Sequence, residues 1–195
     1  MDFIYNNGEM KTMEDKYLVL VNSSNTLKDE SVYEKVDCNS PYADNRKLEK
    51  ETFEAFLKLK EFIKEKGYTI EVESGYRSSE YQQKVWDECV KKKGLEYTKK
   101  YVAAPGYSEH QTGLAVDFVL YENEKYFEEH KMKGHPVLKL VADNAYKYGF
   151  IIRYPEGKES ITGYSYEPWH LRYIKNVDIA KYIKDNNICL EEYLN

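Results

Sequence analysis

The run "LAVDFVL", residues 114–120, constrains the chain more than any other stretch. It is short, apolar and rich in strand formers, which predicts a β-strand. Yet Asp117 stands in its middle. Strand side chains alternate between the two faces of a sheet. Asp117 therefore either faces water on a half-covered strand or is buried, where a carboxylate is costly unless paired or bound to a metal. His110 precedes it by seven residues, in a segment whose Gly106 and Gly113 suit a tight turn. A lone histidine of this kind is ordinarily a hydrogen-bonded structural residue.

Other segments frame this strand. "YLVLV" (17–21) and "YTIEVE" (68–73) are predicted as strands, and residues 1–16 as a loose polar segment. Residues 22–45, full of Asn, Ser and Asp, have the character of a loop. "NRKLEKETFEAFLKLKEFIKEKG" places Leu48, Phe53, Phe56, Leu57, Leu59, Phe62 and Ile63 mostly at helical spacing, and Gly67 ends it. "SSEYQQKVWDECVKKKG" predicts a second helix, capped by Ser78 or Ser79, with Tyr81, Val85, Trp86 and Cys89 as its apolar face. "HPVLKLVADNAYKYG" predicts a third, with Pro136 in its first turn. "FIIRY" and "WHLRYI" are two further strands, and a last helix starts near Asn176. The expected class is α+β, a single domain over 17–195 with helices around a largely antiparallel sheet.

At 195 residues the chain is long enough to bury a sizeable core. Its net charge of −5 shows no basic face, which argues against nucleic acid as a partner. Cys38, Cys89 and Cys189 are widely spaced and form no C-x-x-C, which excludes a cysteine zinc site and argues against a disulfide framework. The N-terminus lacks the pattern of a signal peptide. No apolar run approaches the roughly 20 residues of a membrane span. The expectation is a cytoplasmic protein, or an extracytoplasmic one if a leader has been removed.

Two further segments carry candidate chemistry. In "YSYEPWHLRY", Glu167 precedes His170 by three residues, and Pro168 pushes Glu167 into extended or turn backbone. A regular strand would point the two to opposite faces; a bend would bring them to one metal. The bland reading is a turn-capping glutamate and a packed histidine. In "ESGYRSSEYQ", Arg77 follows a strand and precedes a helix, where a guanidinium can hold a carboxylate by a forked pair of hydrogen bonds. Gln82 competes between substrate contact and a capping box with Ser79. His130 and His135 flank "KMKG" and are expected to be solvated. H-E-x-x-H, P-loop, G-x-S-x-G and G-x-G-x-x-G patterns are absent.

Taken together, "SGYRSSEYQ", "SEHQTGLAVDF" and "EPWH" resemble the LAS metallopeptidases, the group of lysostaphin, D-Ala-D-Ala peptidases and hedgehog domains. The likeness is strongest to the D-alanyl-D-alanine carboxypeptidases and dipeptidases of glycopeptide resistance, and it spans roughly residues 17–193. It implies one zinc ion held by His110, Asp117 and His170, with Glu167 as catalytic base. It implies that Arg77 contacts substrate or the transition-state oxyanion, and that Ser108 and Gln82 hydrogen-bond the peptide or its terminal carboxylate. The implied activity is zinc-dependent removal of the C-terminal D-alanine from peptidoglycan precursor peptides, with D,D-dipeptidase activity as a second capacity. An L,D-carboxypeptidase acting on tetrapeptides, an endolysin-type endopeptidase and a catalytically silent zinc-holding module are the alternatives.

Overall fold

The computed structural model describes residues 3–6, 9–12, 15–42, 46–127 and 131–195, and side chains within these ranges from Lys16 onward. Strands β1 (Phe3–Asn6) and β2 (Glu9–Thr12) pair antiparallel, so the segment expected to be loose carries a ladder of its own. Residues 17–21 are not the expected strand. Tyr17 and Leu18 close a 3-10 turn, and the carbonyls of Tyr17 and Val19 accept from Arg172 Nη2 at 3.0 and 2.8 Å. A buried guanidinium thus takes the acceptors that a neighbouring strand would have used.

Strands β3 (Lys35–Asp37) and β4 (Lys47–Glu49) form a second small ladder. Leu48 belongs to β4, not to the helix that follows. Helix α1 (Lys50–Glu65) starts two residues after Leu48 because Glu49 caps it, its Oε2 accepting from Thr52 N at 2.9 Å. Phe56, Leu59 and Ile63 form its buried face. Each contributes on the order of 1.5–3 kcal/mol by leaving water.

The chain continues through β5 (Thr69–Ser74), α2 (Ser79–Lys93), α3 (Leu95–Tyr101), β6 (Ala115–Glu122), β7 (Lys125–Phe127), α4 (Pro136–Asn144), β8 (Phe150–Tyr154), α5 (Glu159–Thr162), β9 (Glu167–Tyr173), α6 (Val177–Asp185) and α7 (Leu190–Leu194). The main sheet runs β5-β6-β9-β8, and β7 pairs with the far end of β6; every pairing is antiparallel. The α+β expectation holds. Val116, Phe118 and Leu120 of β6 join Leu171 of β9 and the α1 and α4 side chains in the main core. A second cluster ties Ile151 of β8 to Ala180 and Ile183 of α6 and Leu190 at the start of α7. Strand β6 is therefore covered on both faces, and all six residues from Ala115 to Leu120 are buried.

Helix α2 departs from its predicted packing. Its buried residue is Gln82, while Tyr81 is exposed and Val85, Trp86 and Cys89 are half-buried. A polar residue turned inward marks a helix that braces a site more than it fills a core. Among the described residues no helix is long and apolar enough to cross a membrane. The three cysteines are free.

Candidate active site

The site lies on the face of the sheet opposite α1 and α4. Asp117 is 5% exposed and alternates with the core residues Val116 and Phe118, which disposes of the reading in which it faces water. In the antiparallel register Asp117 stands directly opposite His170 of β9, so the two share a face. Asp117 Oδ1 lies 2.9 Å from His170 Nδ1.

Glu167 reaches the same face through an irregularity. The β8–β9 register slips by two residues between the pairs Ile152–Leu171 and Tyr154–Glu167. The extra residues on β9 fall around Pro168, which cannot donate to a ladder. As a result Glu167 Oε2 lies 3.7 Å from His170 Nδ1. The bend that the Glu167–His170 spacing required is present.

His110 arrives from outside the sheet, on a 3-10 turn (Glu109–Thr112) whose N-cap is Ser108 and whose C-cap, Gly113, is left-handed at φ 73°. Two reciprocal bonds knit this turn to the β5–α2 loop. Arg77 N donates to His110 O at 3.1 Å, and His110 Nδ1 lies 2.6 Å from Gly75 O. A carbonyl only accepts, so Nδ1 carries the proton and Nε2 presents its lone pair to the site. Burial, reinforced by the neighbouring Arg77 charge, pushes the His110 pKa down to about 4 and keeps the ring neutral. A larger residue at Gly75 would force the backbone to shift, because a Cβ there would lie 2.2 Å from Lys47 O.

His170 is treated differently. Burial disfavours its charge, but Asp117, Glu109 and Glu167 outweigh that and raise its pKa to about 9. Asp117, also disfavoured by burial, is held well below the usual carboxylate range by His110 and His170. Asp117 is thus ionised within the cluster, the form in which a carboxylate binds a cation.

The donor set fits a metal. Atoms of His110, Asp117 and His170 lie within 4.8 Å of one another, and all three residues are buried. Asp117 Oδ1 is buried with no hydrogen-bond donor in good geometry. Two imidazoles and a carboxylate are the ligands expected of a catalytic zinc that keeps its fourth position open.

Arg77 lies at the edge of this cluster. Its Nη2 is 2.9 Å from Asp117 Oδ2 and 3.2 Å from His110 Nε2, while Nε donates to Ser74 Oγ and Nη1 to Gln82 Oε1. Gln82 is fully buried, and its Nε2 donates to Ala103 O at 2.8 Å. The N-cap of α2 is Ser78, whose Oγ accepts from Tyr81 N, so Gln82 takes no part in a capping box with Ser79. Ser108 is buried and its Oγ accepts from His110 N at 3.3 Å. His135 is half-buried and caps α4, its Nδ1 accepting from Val137 N. His130 lies outside the described residues.

A set of buried charges not expected from the sequence lies behind His170. Arg153 and Arg172 are wholly buried, and both donate to Glu109 Oε1, at 2.7 and 2.6 Å. The signal was available. Arg153 in "FIIRY" and Arg172 in "WHLRY" are charges inside apolar strands, as Asp117 is. The ring of Tyr154 packs against His170 with centroids 4.8 Å apart, completing that wall.

Comparison with known proteins agrees with this geometry. The family model described as "VanY: D-alanyl-D-alanine carboxypeptidase" matches residues 45–176. The chain is 48% identical over 149 residues to the putative carboxypeptidase YodJ of Bacillus subtilis (strain 168), a match covering 76% of this chain. That match takes in 54% of the relative, so the chain spans about half of that protein's length. A solved structure of the vancomycin-resistance D,D-pentapeptidase VanY, a glutamate-to-alanine variant in complex with Zn(II), superposes with a TM-score of 0.78 at 34% identity, covering 92% of this chain and 99% of that one. The LD-carboxypeptidase LdcB superposes with a TM-score of 0.77 at 38% identity, covering 99% and 92%. By sequence, fold and the donor set of its site, the chain belongs to the VanY family of D-alanyl-D-alanine carboxypeptidases, zinc metallopeptidases of the LAS type.

Proposed function

We propose that this chain is a D,D-carboxypeptidase that removes the C-terminal D-alanine from peptidoglycan precursor peptides. The observation that carries the reading is the burial of His110, Asp117 and His170 around one point with Glu167 3.7 Å from His170. A zinc held only for structure needs no such carboxylate beside its ligands. That argues against the silent-module alternative.

His110 Nε2, an Asp117 oxygen and His170 Nδ1 would hold the ion. Zinc there supplies a Lewis acid that polarises the scissile carbonyl and acidifies water. Glu167 takes the proton of the attacking water and delivers it to the departing amine of the terminal residue. Arg77 stabilises the oxyanion that develops at the attacked carbonyl. Its Nη2 contacts two of the three ligand residues, which places it beside the reacting centre. Gln82 and Ser74 hold that guanidinium in place, and Ser108 shapes the turn that delivers His110. Through these contacts Gln82 and Ser108 position Arg77 and His110.

The likeness to LdcB favours a second reading, L,D-cleavage of tetrapeptides, with the same metal set and a different substrate pocket. One assay decides between them. Purified protein is offered the dipeptide D-Ala-D-Ala, pentapeptides ending in D-Ala-D-Ala or D-Ala-D-Ser, and a tetrapeptide, with and without chelator. Chelator-sensitive release of D-alanine from the pentapeptide, exceeding release from the tetrapeptide, is the expected result. Preference for the tetrapeptide would assign L,D-activity, and turnover that survives chelation would overturn the metallopeptidase mechanism.

A further inference from the structure

Four charged side chains are buried together behind His170. Glu109, Arg153 and Arg172 have side chains with no exposed surface, and Glu191 very little. Arg153 forks onto Glu191 at 2.8 and 2.6 Å, and Asn22 donates to Glu191 Oε1. Arg172 ties the group to the carbonyls of Tyr17 and Val19. The charges balance, two against two. Stability is weak grounds for such a group, because apolar residues of similar volume commonly do as well.

Glu109 gives the group a purpose. Both arginines bind its Oε1. Its Oε2 is buried with no hydrogen bond and faces His170 Nε2 at 3.7 Å, and that nitrogen is likewise buried without one. Two orphaned atoms facing each other, a carboxylate oxygen and a ring nitrogen, complement one another when the nitrogen carries a proton. A proton held at Nε2 leaves Nδ1, the atom turned to Asp117 and Glu167, as the lone-pair donor.

We infer that Glu109, clamped by Arg153 and Arg172, is a positioning residue that fixes His170 in the Nε2-protonated tautomer and so prepares Nδ1 to bind the metal. The inference rests on the metal-site reading above and deepens it. The carboxylate does not touch substrate; it acts through the histidine. The arginines hold Oε1, which leaves Oε2 directed at the ring.

Glu109→Gln is the informative change. The amide carbonyl must stay with the two arginine donors, so the NH2 group turns to His170 Nε2. That nitrogen is then pressed to accept, and the ring proton moves to Nδ1, where it competes with the metal. Zinc affinity, read by competition against a chromogenic chelator, should fall about 10–100-fold, the usual effect of losing a carboxylate behind a ligating histidine. Glu191→Gln disturbs the same charge group without touching His170 and should keep wild-type affinity, with folded content of each variant matched by circular dichroism. Undiminished affinity in Glu109→Gln, or an equal loss in Glu191→Gln, would overturn the assignment.

A second measurement does not depend on either variant folding. In zinc-loaded wild-type protein, long-range 15N–1H correlation of the imidazoles should show His170 protonated at Nε2 and metallated at Nδ1; metallation at Nε2 would overturn the inference. Wild-type protein that took up no zinc would overturn the metal-site reading and this one together, whereas zinc-binding wild type with undiminished affinity in Glu109→Gln would fault Glu109 alone.

Discussion

Asp117 and His170 are register partners across β6 and β9, with Asp117 Oδ1 2.9 Å from His170 Nδ1. Two ligands on opposed positions of two central strands have little freedom to separate. Rigid elements hold a metal site more tightly than loops do. His110, delivered by a turn, is the ligand whose position depends on neighbours.

Ligand and base should separate cleanly in mutants. His110→Ala and Asp117→Ala remove donors and should lose both zinc and turnover. Glu167→Gln keeps the shape of the side chain and all three donors. It should retain stoichiometric zinc by elemental analysis while kcat falls by about 10²–10⁴, the range for loss of a general base. Wild-type turnover in Glu167→Gln would remove Glu167 from the mechanism.

Arg77 is anchored at three nitrogens, by Ser74, by Gln82 and by the Asp117–His110 pair. Its place beside the ligands predicts a role in the transition state more than in ground-state binding. Arg77→Ala should lower kcat by about 10²–10³, the effect of losing an oxyanion donor, with KM changing less. A raised KM at constant kcat would reassign Arg77 to the substrate's terminal carboxylate. Steady-state kinetics on the pentapeptide distinguishes the two.

Gly75 links a backbone constraint to a ligand. Its carbonyl fixes the His110 tautomer, and a Cβ would lie 2.2 Å from Lys47 O, which is backbone and has little room to move. Gly75→Ala should therefore cost about 1–3 kcal/mol of stability by overpacking. It should also weaken zinc binding, because relieving the clash displaces the carbonyl that holds His110 Nδ1. Denaturant unfolding together with chelator competition tests both; a variant as stable as wild type would show that the close approach relaxes freely.

The parts of this site legible in the sequence were those with a local signature. Asp117 was conspicuous because a charge interrupts an apolar run, and Glu167 with His170 because a short motif pairs them. What joined them was not local. The register slip that turns Glu167 onto the face of His170 depends on how β9 pairs with β8. Residues 17–21 have strand composition, but Arg172, more than 150 positions away, takes their carbonyls. Tyr81, Val85, Trp86 and Cys89 form a plausible apolar stripe, yet Gln82 is the buried residue of α2, because what α2 must support is Arg77. Glu109 stood next to His110 in the motif and gave no sign, since its meaning lies in two arginines from other strands.

Those arginines also predict how the fold meets acid. Burial raises the Glu191 pKa, but the forked bonds from Arg153 more than reverse this and hold it below its ordinary 4.5. Glu109, opposed by burial in the same way, is held below the usual carboxylate range by Arg153 and Arg172. In the unfolded chain both carboxyls take up protons near 4.5, at a pH where the folded protein still keeps them ionised. Below that value the unfolded state binds more protons, so stability present above about 4.5 is lost as the pH falls. Urea unfolding followed from neutral pH down through the carboxylate range should show this decline in the metal-free protein. Glu191→Gln removes one of the two contributors and strands Arg153. It should start on the order of 3 kcal/mol less stable at neutral pH and decline less steeply in acid. Parallel pH profiles for the two proteins would mean that Glu191 titrates alike in the folded and unfolded states, and that the forked pair with Arg153 does not govern acid stability.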